Sequence, residues 1–154
     1  MRNALIVWAP DNAGIRRAAE AVRAAFDEAG LKVRARKASE ASIVDIAAAE
    51  LVVFATGKEP SAEVPPDYAE LLRVFKGVTL AGRTAALFSV GSESATARLR
   101  EALKDAEIHQ VEEDPVFRET AGSHASEIAD WARGLAARVE DNQLRMEDNH
   151  RAGA

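Results

Sequence analysis

The chain has 154 residues, 47% of them hydrophobic and 29% charged, with a net charge of -5, 5% aromatic residues and no cysteine. That length and balance describe one globular domain with a real core and exclude a disordered or fibrous chain. The absence of cysteine excludes disulfides, thiol catalysis and cysteine-ligated metal clusters, and the acidic balance argues against a nucleic-acid binder.

Met1-Arg2-Asn3 runs directly into the apolar, β-prone stretch Ala4–Trp8, the first expected strand. No signal peptide fits there, and no apolar run reaches membrane-spanning length, so a cytoplasmic protein with no membrane partner is expected. After Ala9-Pro10, a helix is expected from about Asn12 to Ala29, with Ile15, Ala18, Ala19, Val22, Phe26 and Ala29 on one apolar stripe and Gly30 at its C′ position. Asp11, just ahead of this helix, reads as its N-cap or as a group facing a ligand. Leu31–Ala35 alternates apolar and charged residues, which marks an edge strand.

Ser39–Ala49 reads as a loop and one short helix, capped by Ser42, with Ile43, Val44 and Ile46 turned inward. Leu51–Ala55 is continuous and β-branched, a central strand that ends in the polar loop Thr56–Pro66. Asp67 is placed to cap a third helix carrying Leu71, Leu72 and Phe75. A second buried strand, Thr84–Phe88, leads to the loop Ser89–Glu93 and to a fourth helix with Ala95, Leu99, Ala102 and Leu103 inward. Ser92 and Ser94 are candidate caps for that helix. Glu107–Val111 alternates and is expected at the other edge, followed by the acidic loop Glu112-Glu113-Asp114-Pro115. The last helix is expected to be capped by Ser123 and to bury Ile128, Trp131, Ala132, Leu135 and Val139. His109, His124 and His150 lack metal-ligand spacing, and no nucleophile elbow surrounds Ser89, Ser92 or Ser94.

Strands alternating with helices, with the apolar runs in the middle, imply a parallel sheet covered on both faces. Its ligand crevice would lie at the C-terminal ends of strands 1, 3 and 4. Trp8 and Tyr68 are the nearest aromatic residues: Trp8 reads as core, and Tyr68 as a stacking group or a surface ring. Gly57 and Gly91 suit a close backbone approach to a planar ligand.

ALIVW followed by a turn and helix, DIAAAELVVFATG at Asp45–Gly57, LAGRTAALFSVG at Leu80–Gly91 and the closing ADWARGLAARVE together resemble the flavodoxin family, in its short-chain form. The resemblance implies an α/β flavodoxin-like three-layer sandwich with a five-stranded parallel sheet of order 2-1-3-4-5. Residues 1–140 would form that domain, with 141–154 a frayed or disordered tail. It also implies an FMN-binding carrier of electrons, an electron carrier or binding domain being expected ahead of a catalyst, and the chain's acidic charge would suit a basic redox partner.

The FMN site implied by the resemblance comprises Pro10, Asp11, Asn12, Ala13, Gly14 and Ile15 after strand 1. It continues with Thr56, Gly57 and Lys58 after strand 3, and with Ser89, Val90, Gly91 and Ser92 after strand 4. The family's phosphate turn, of the type S/T-x-T-G-N-T, has lost every hydroxyl here. Pro10 lacks an N–H, and Asp11 sets a carboxylate where a phosphate would sit. The aromatic residues with which the family flanks the flavin are replaced by Lys58-Glu59 and Ser92-Glu93-Ser94. Two readings follow: an FMN-binding electron carrier, and a flavin-free flavodoxin-like domain for protein contacts or another small ligand.

Overall fold

The computed structural model describes residues 2–57, 65–91, 94–111, 114–117 and 126–139. The elements are β1 (Asn3–Trp8), α1 (Ala13–Glu28), β2 (Lys32–Lys37), α2 (Ile43–Ala47), β3 (Leu51–Gly57) and α3 (Ala69–Phe75). They continue with β4 (Thr84–Val90), α4 (Ser94–Asp105), β5 (His109–Gln110), β6 (Val116–Phe117) and a last helix, α5, over 126–139. The strands are parallel, in the order β2-β1-β3-β4-β5, and β6 also pairs with β4.

Burial explains the layering. β3 is enclosed over its whole length, and β4 over all but Thr84. Alternate residues of these strands supply two cores. Ile6, Val53, Ala86 and Phe88 pack with Ile15, Val22 and Phe26 of α1 and with Ile128, Ala132 and Leu135 of α5. Leu5, Val7, Val52, Phe54 and Leu87 pack with Ile46, Leu71, Phe75, Leu99 and Leu103 from the other three helices. Val53 and Phe54, both fully enclosed, illustrate the scale: burying such a side chain contributes about 1.5–3 kcal/mol.

Several elements differ from expectation. The α1 stripe uses Ala25 in place of Ala29, which is the exposed C-cap; Gly30 follows it, and its N–H and that of Leu31 close on the carbonyls of Asp27 and Phe26. In α2 the Ser42 capping box forms as expected, but Val44 is 72% exposed because a helix this short buries only one narrow face. Asp67 caps nothing: it lies inside a 3-10 turn, Pro66–Tyr68, that carries the chain into α3 without a side-chain cap. Trp131 is only partly buried.

The fifth strand position is split. β5 pairs with Thr84–Ala85 and β6 with Ser89–Val90, and between the two pairings the register shifts by two residues. Arg100 of α4 ties the ends of the two pairings together. Its guanidinium donates to both carboxylate oxygens of Asp114, at 2.7 Å from Nε to Oδ2, and its Nη2 donates to the Val111 carbonyl at 2.8 Å. Of the expected acidic loop, Asp114 is therefore tied to α4, while Glu112 and Glu113 lie outside the described residues. Lys58, Ser92, Ser123, His124, His150 and the tail 141–154 also lie outside them, as do the side chains of Ser94 and Ala95.

Candidate functional site

The C-terminal ends of β1, β3 and β4 meet at one end of the sheet. Thr56 and Gly57 are the last residues of β3, and Ser89 and Val90 the last of β4, where the sequence pattern predicts loops for all four. They are register partners, Thr56 with Ser89 and Gly57 with Val90, and all four are buried. Polar residues and glycine read as strand breakers, yet the ladder carries both strands two residues past their apolar runs. Gly91 then turns the chain out of the sheet at φ 79°, a conformation that disfavours any residue with a Cβ.

At the end of β1 the Ala9–Pro10 peptide is cis. The N-cap of α1 is Asn12, not Asp11: its Oδ1 accepts the Ile15 amide at 2.9 Å. Asp11 points elsewhere. It accepts from Arg16 at 2.8 Å and from Lys37 of β2 at 3.4 Å. The Arg16 hydrogen bond, with Lys37 beside it, holds the Asp11 carboxyl below the usual carboxylate range. Asp11 thus enters solvent as one member of an ion cluster. Of the first-turn donors that an anion would use, the Ile15 amide is already taken by the protein itself.

Among the described residues, the strand ends are packed from both faces of the sheet. On the α1 side, Ile15 lies against the end of β3: a Cβ at Gly57 would come within 2.8 Å of Ile15 Cδ1 and 3.5 Å of Pro10 Cδ. Gly57 therefore accommodates the protein's own Ile15. On the α3 side Tyr68 is fully buried, neither a surface ring nor a stacking group, and its hydroxyl reaches the carbonyls of Ala55 at 2.7 Å and Val7 at 3.0 Å. It plugs the seam between β1 and β3, where the strand order reverses. Burial, with Asp67 next to it in sequence, pushes the Tyr68 hydroxyl well above the usual phenol range, so it stays protonated and donates.

Two hydroxyls are left over. Thr56 Oγ1 and Ser89 Oγ are buried without a hydrogen-bond partner. By strand alternation they share the face of Phe54 and Leu87, the α3–α4 face. Among the described residues no group of His, Asp or Glu side chains is placed to hold a metal ion. The helices described include none long and apolar enough to cross a membrane.

No protein-family model and no curated protein sequence matches the chain. Solved structures do. A short-chain flavodoxin associated with a non-canonical PDU bacterial microcompartment superposes with a TM-score of 0.77 at 18% identity, over 90% of this chain and 99% of that one. Flavodoxin 2 from Bacillus cereus gives 0.77 at 15%, over 91% and 99%. The Fusobacterium nucleatum flavodoxin bound to flavin mononucleotide gives 0.75 at 11%, over 90% and 99%. The fold is flavodoxin-like.

Tested against FMN, the described residues of this flavodoxin-like frame supply neither a phosphate turn with hydroxyls nor a free aromatic ring, while Lys58 and Ser92 of the expected site lie outside them. The phosphate turn has no hydroxyl, and one of its amides is satisfied by Asn12. No platform for the flavin ring stands free. All eight aromatic side chains of the chain are described; Phe26, Phe54, Tyr68, Phe75, Phe88 and Phe117 are buried, and Trp131 packs on Phe88 and Phe117. Only Trp8 remains near the crevice, half-buried, with the Arg16 guanidinium 6.0 Å from its ring centre. The described residues do not fit FMN bound by its phosphate and clasped between aromatic rings.

Proposed function

We propose that the protein is a flavodoxin-like domain that works through its surface, as a protein-contact module, and not as a carrier of phosphate-anchored FMN. One observation carries the reading: at the strand ends where the fold would hold a ligand, this chain's own Ile15 packs against Gly57, with Pro10 beside it, and Tyr68 is bonded to the carbonyls of Val7 and Ala55 beneath. A flavin would have to displace Ile15 from Gly57 and find its affinity without ring stacking. The cost of opening a packed contact falls on the ligand and lowers its apparent affinity.

The competing reading is an FMN-binding electron carrier with a basic redox partner. It draws support from the company of flavodoxins, one of them described with flavin mononucleotide, and from the Ala13 and Gly14 amides, which have no intrahelical acceptor. Purification decides between the two. The protein, incubated with excess FMN and passed through gel filtration, is expected to emerge colourless. A yellow protein that keeps its flavin through the column overturns the surface reading.

A further inference from the structure

The molecule is acidic overall, but its charge is segregated along the chain. Residues 1–40 hold eight Lys and Arg against five Asp and Glu; the remainder holds twelve against twenty. Much of the positive excess is displayed on β2, the sheet edge whose outer side pairs with no described strand. Lys32, Arg34 and Arg36 are exposed at alternate positions and so share one face. They lie about 6.6 Å apart along the strand. Asp45 of α2 faces this stripe, 3.9 Å from Arg34, and offsets one charge of the three.

The backbone of β2 is open on the same edge. Lys32 N–H bonds the Arg2 carbonyl and Ala38 N–H bonds the Trp8 carbonyl, both inward. By the two-residue alternation of a ladder, the Val33 and Ala35 amides point outward. Beside them a groove of about 230 Å³ opens between β1, β2 and the end of α2, with Leu5, Ala48 and Ala49 in its lining and Lys32 and Arg34 on its rim. α2 has only five residues and leaves this part of the sheet half-covered.

We propose that the β2 edge docks an extended segment of an acidic partner protein, added as a further strand with carboxylates at every second residue. The inference rests on the surface reading above and names the partner's chemistry. The strand repeat matches the cation repeat, so each carboxylate meets a Lys or Arg while the backbone pairs with the outward amides of Val33 and Ala35. Edge lysines and arginines also keep sheets from pairing with themselves. Here that effect and recognition coincide: a second β2 edge would set cation on cation, and an acidic strand relieves the same charges.

A fluorescent octapeptide of alternating Glu and Thr tests the proposal, with its Gln/Thr counterpart as the neutral control and anisotropy as the readout. The acidic peptide is expected to bind at low salt and the neutral one to bind at least about tenfold more weakly. Lys32→Glu with Arg34→Glu should abolish binding. Ala35→Pro, which removes an outward N–H and leaves the inward ladder intact, should weaken it. Arg98→Glu on α4, exposed and remote, should not. Equal binding of the two peptides, or indifference to the charge reversals, overturns the proposal. So does full binding by Ala35→Pro together with equal competition by heparin, which would mark a general polyanion patch. The peptide experiment does not depend on flavin. A protein that binds FMN tightly and the acidic peptide as well would overturn the surface reading alone.

Discussion

The two faces of the sheet close the same crevice in opposite ways. On the α1 face the closure is apolar: Ile15 occupies the space that a side chain on residue 57 would need. On the α3–α4 face it is polar: Tyr68 spends its hydroxyl on the ends of β1 and β3, while Thr56 and Ser89 keep hydroxyls with no partner. A dry contact stabilises through shape and is sensitive to single methyl groups. A buried hydroxyl stabilises only when it is bonded, and costs when it is not.

The largest expected effects come from the apolar side. Ile15→Ala removes three carbons from a site 2% exposed and should destabilise by about 2–4 kcal/mol in denaturant melts. Gly57→Ala overpacks the same contact and should cost about 1–3 kcal/mol. The double variant sharpens the comparison: the new Cβ fills space vacated by Ile15, so it should be more stable than the two single losses added together. Strict additivity would mean that Gly57 is required for another reason.

Tyr68→Phe should cost about 0.5–1.5 kcal/mol, because the hydroxyl hydrogen bond is lost while the Val7 and Ala55 carbonyls both keep their ladder amides. The pH dependence has a definite sign. The folded hydroxyl titrates above its unfolded value near 10, so its contribution is whole below pH 10 and is lost as pH rises further. The alkaline fall in stability should be shallower in Tyr68→Phe than in the natural protein. Thr56→Val should have the smallest effect, within about 1 kcal/mol and in the stabilising direction, since it removes an unpartnered hydroxyl and keeps the shape. A substantial loss in that variant would show that Thr56 is bonded in solution.

Much of the frame was legible in the chain. Leu51–Phe54 and Thr84–Phe88 announce central strands because continuous apolar runs suit strands buried on both faces, and the alternation in β2 marks an edge. The crevice was less legible, because its parts are decided by partners distant in sequence. Asp11 and Asn12 are both good caps, and only the backbone path selects Asn12 and sends Asp11 to Lys37. The Pro65-Pro66-Asp67 run reads as a polar helix start, whereas a 3-10 turn swings Tyr68 into the core. Gly57 looked like room for a ligand, and no local signal says that Ile15 fills it. The split of the fifth strand depends on Arg100, on a helix fourteen residues before Asp114.

The most direct test of the closed crevice is a parallel titration of FMN and riboflavin into the natural protein, followed by flavin fluorescence. The two ligands share a ring system and differ by the phosphate that a working turn would hold. With Asn12 on the Ile15 amide, no hydroxyl in the turn and Ile15 on Gly57, we expect weak binding of both and little preference for FMN. Tight binding of FMN, with riboflavin bound ten or more times more weakly, would contradict the account.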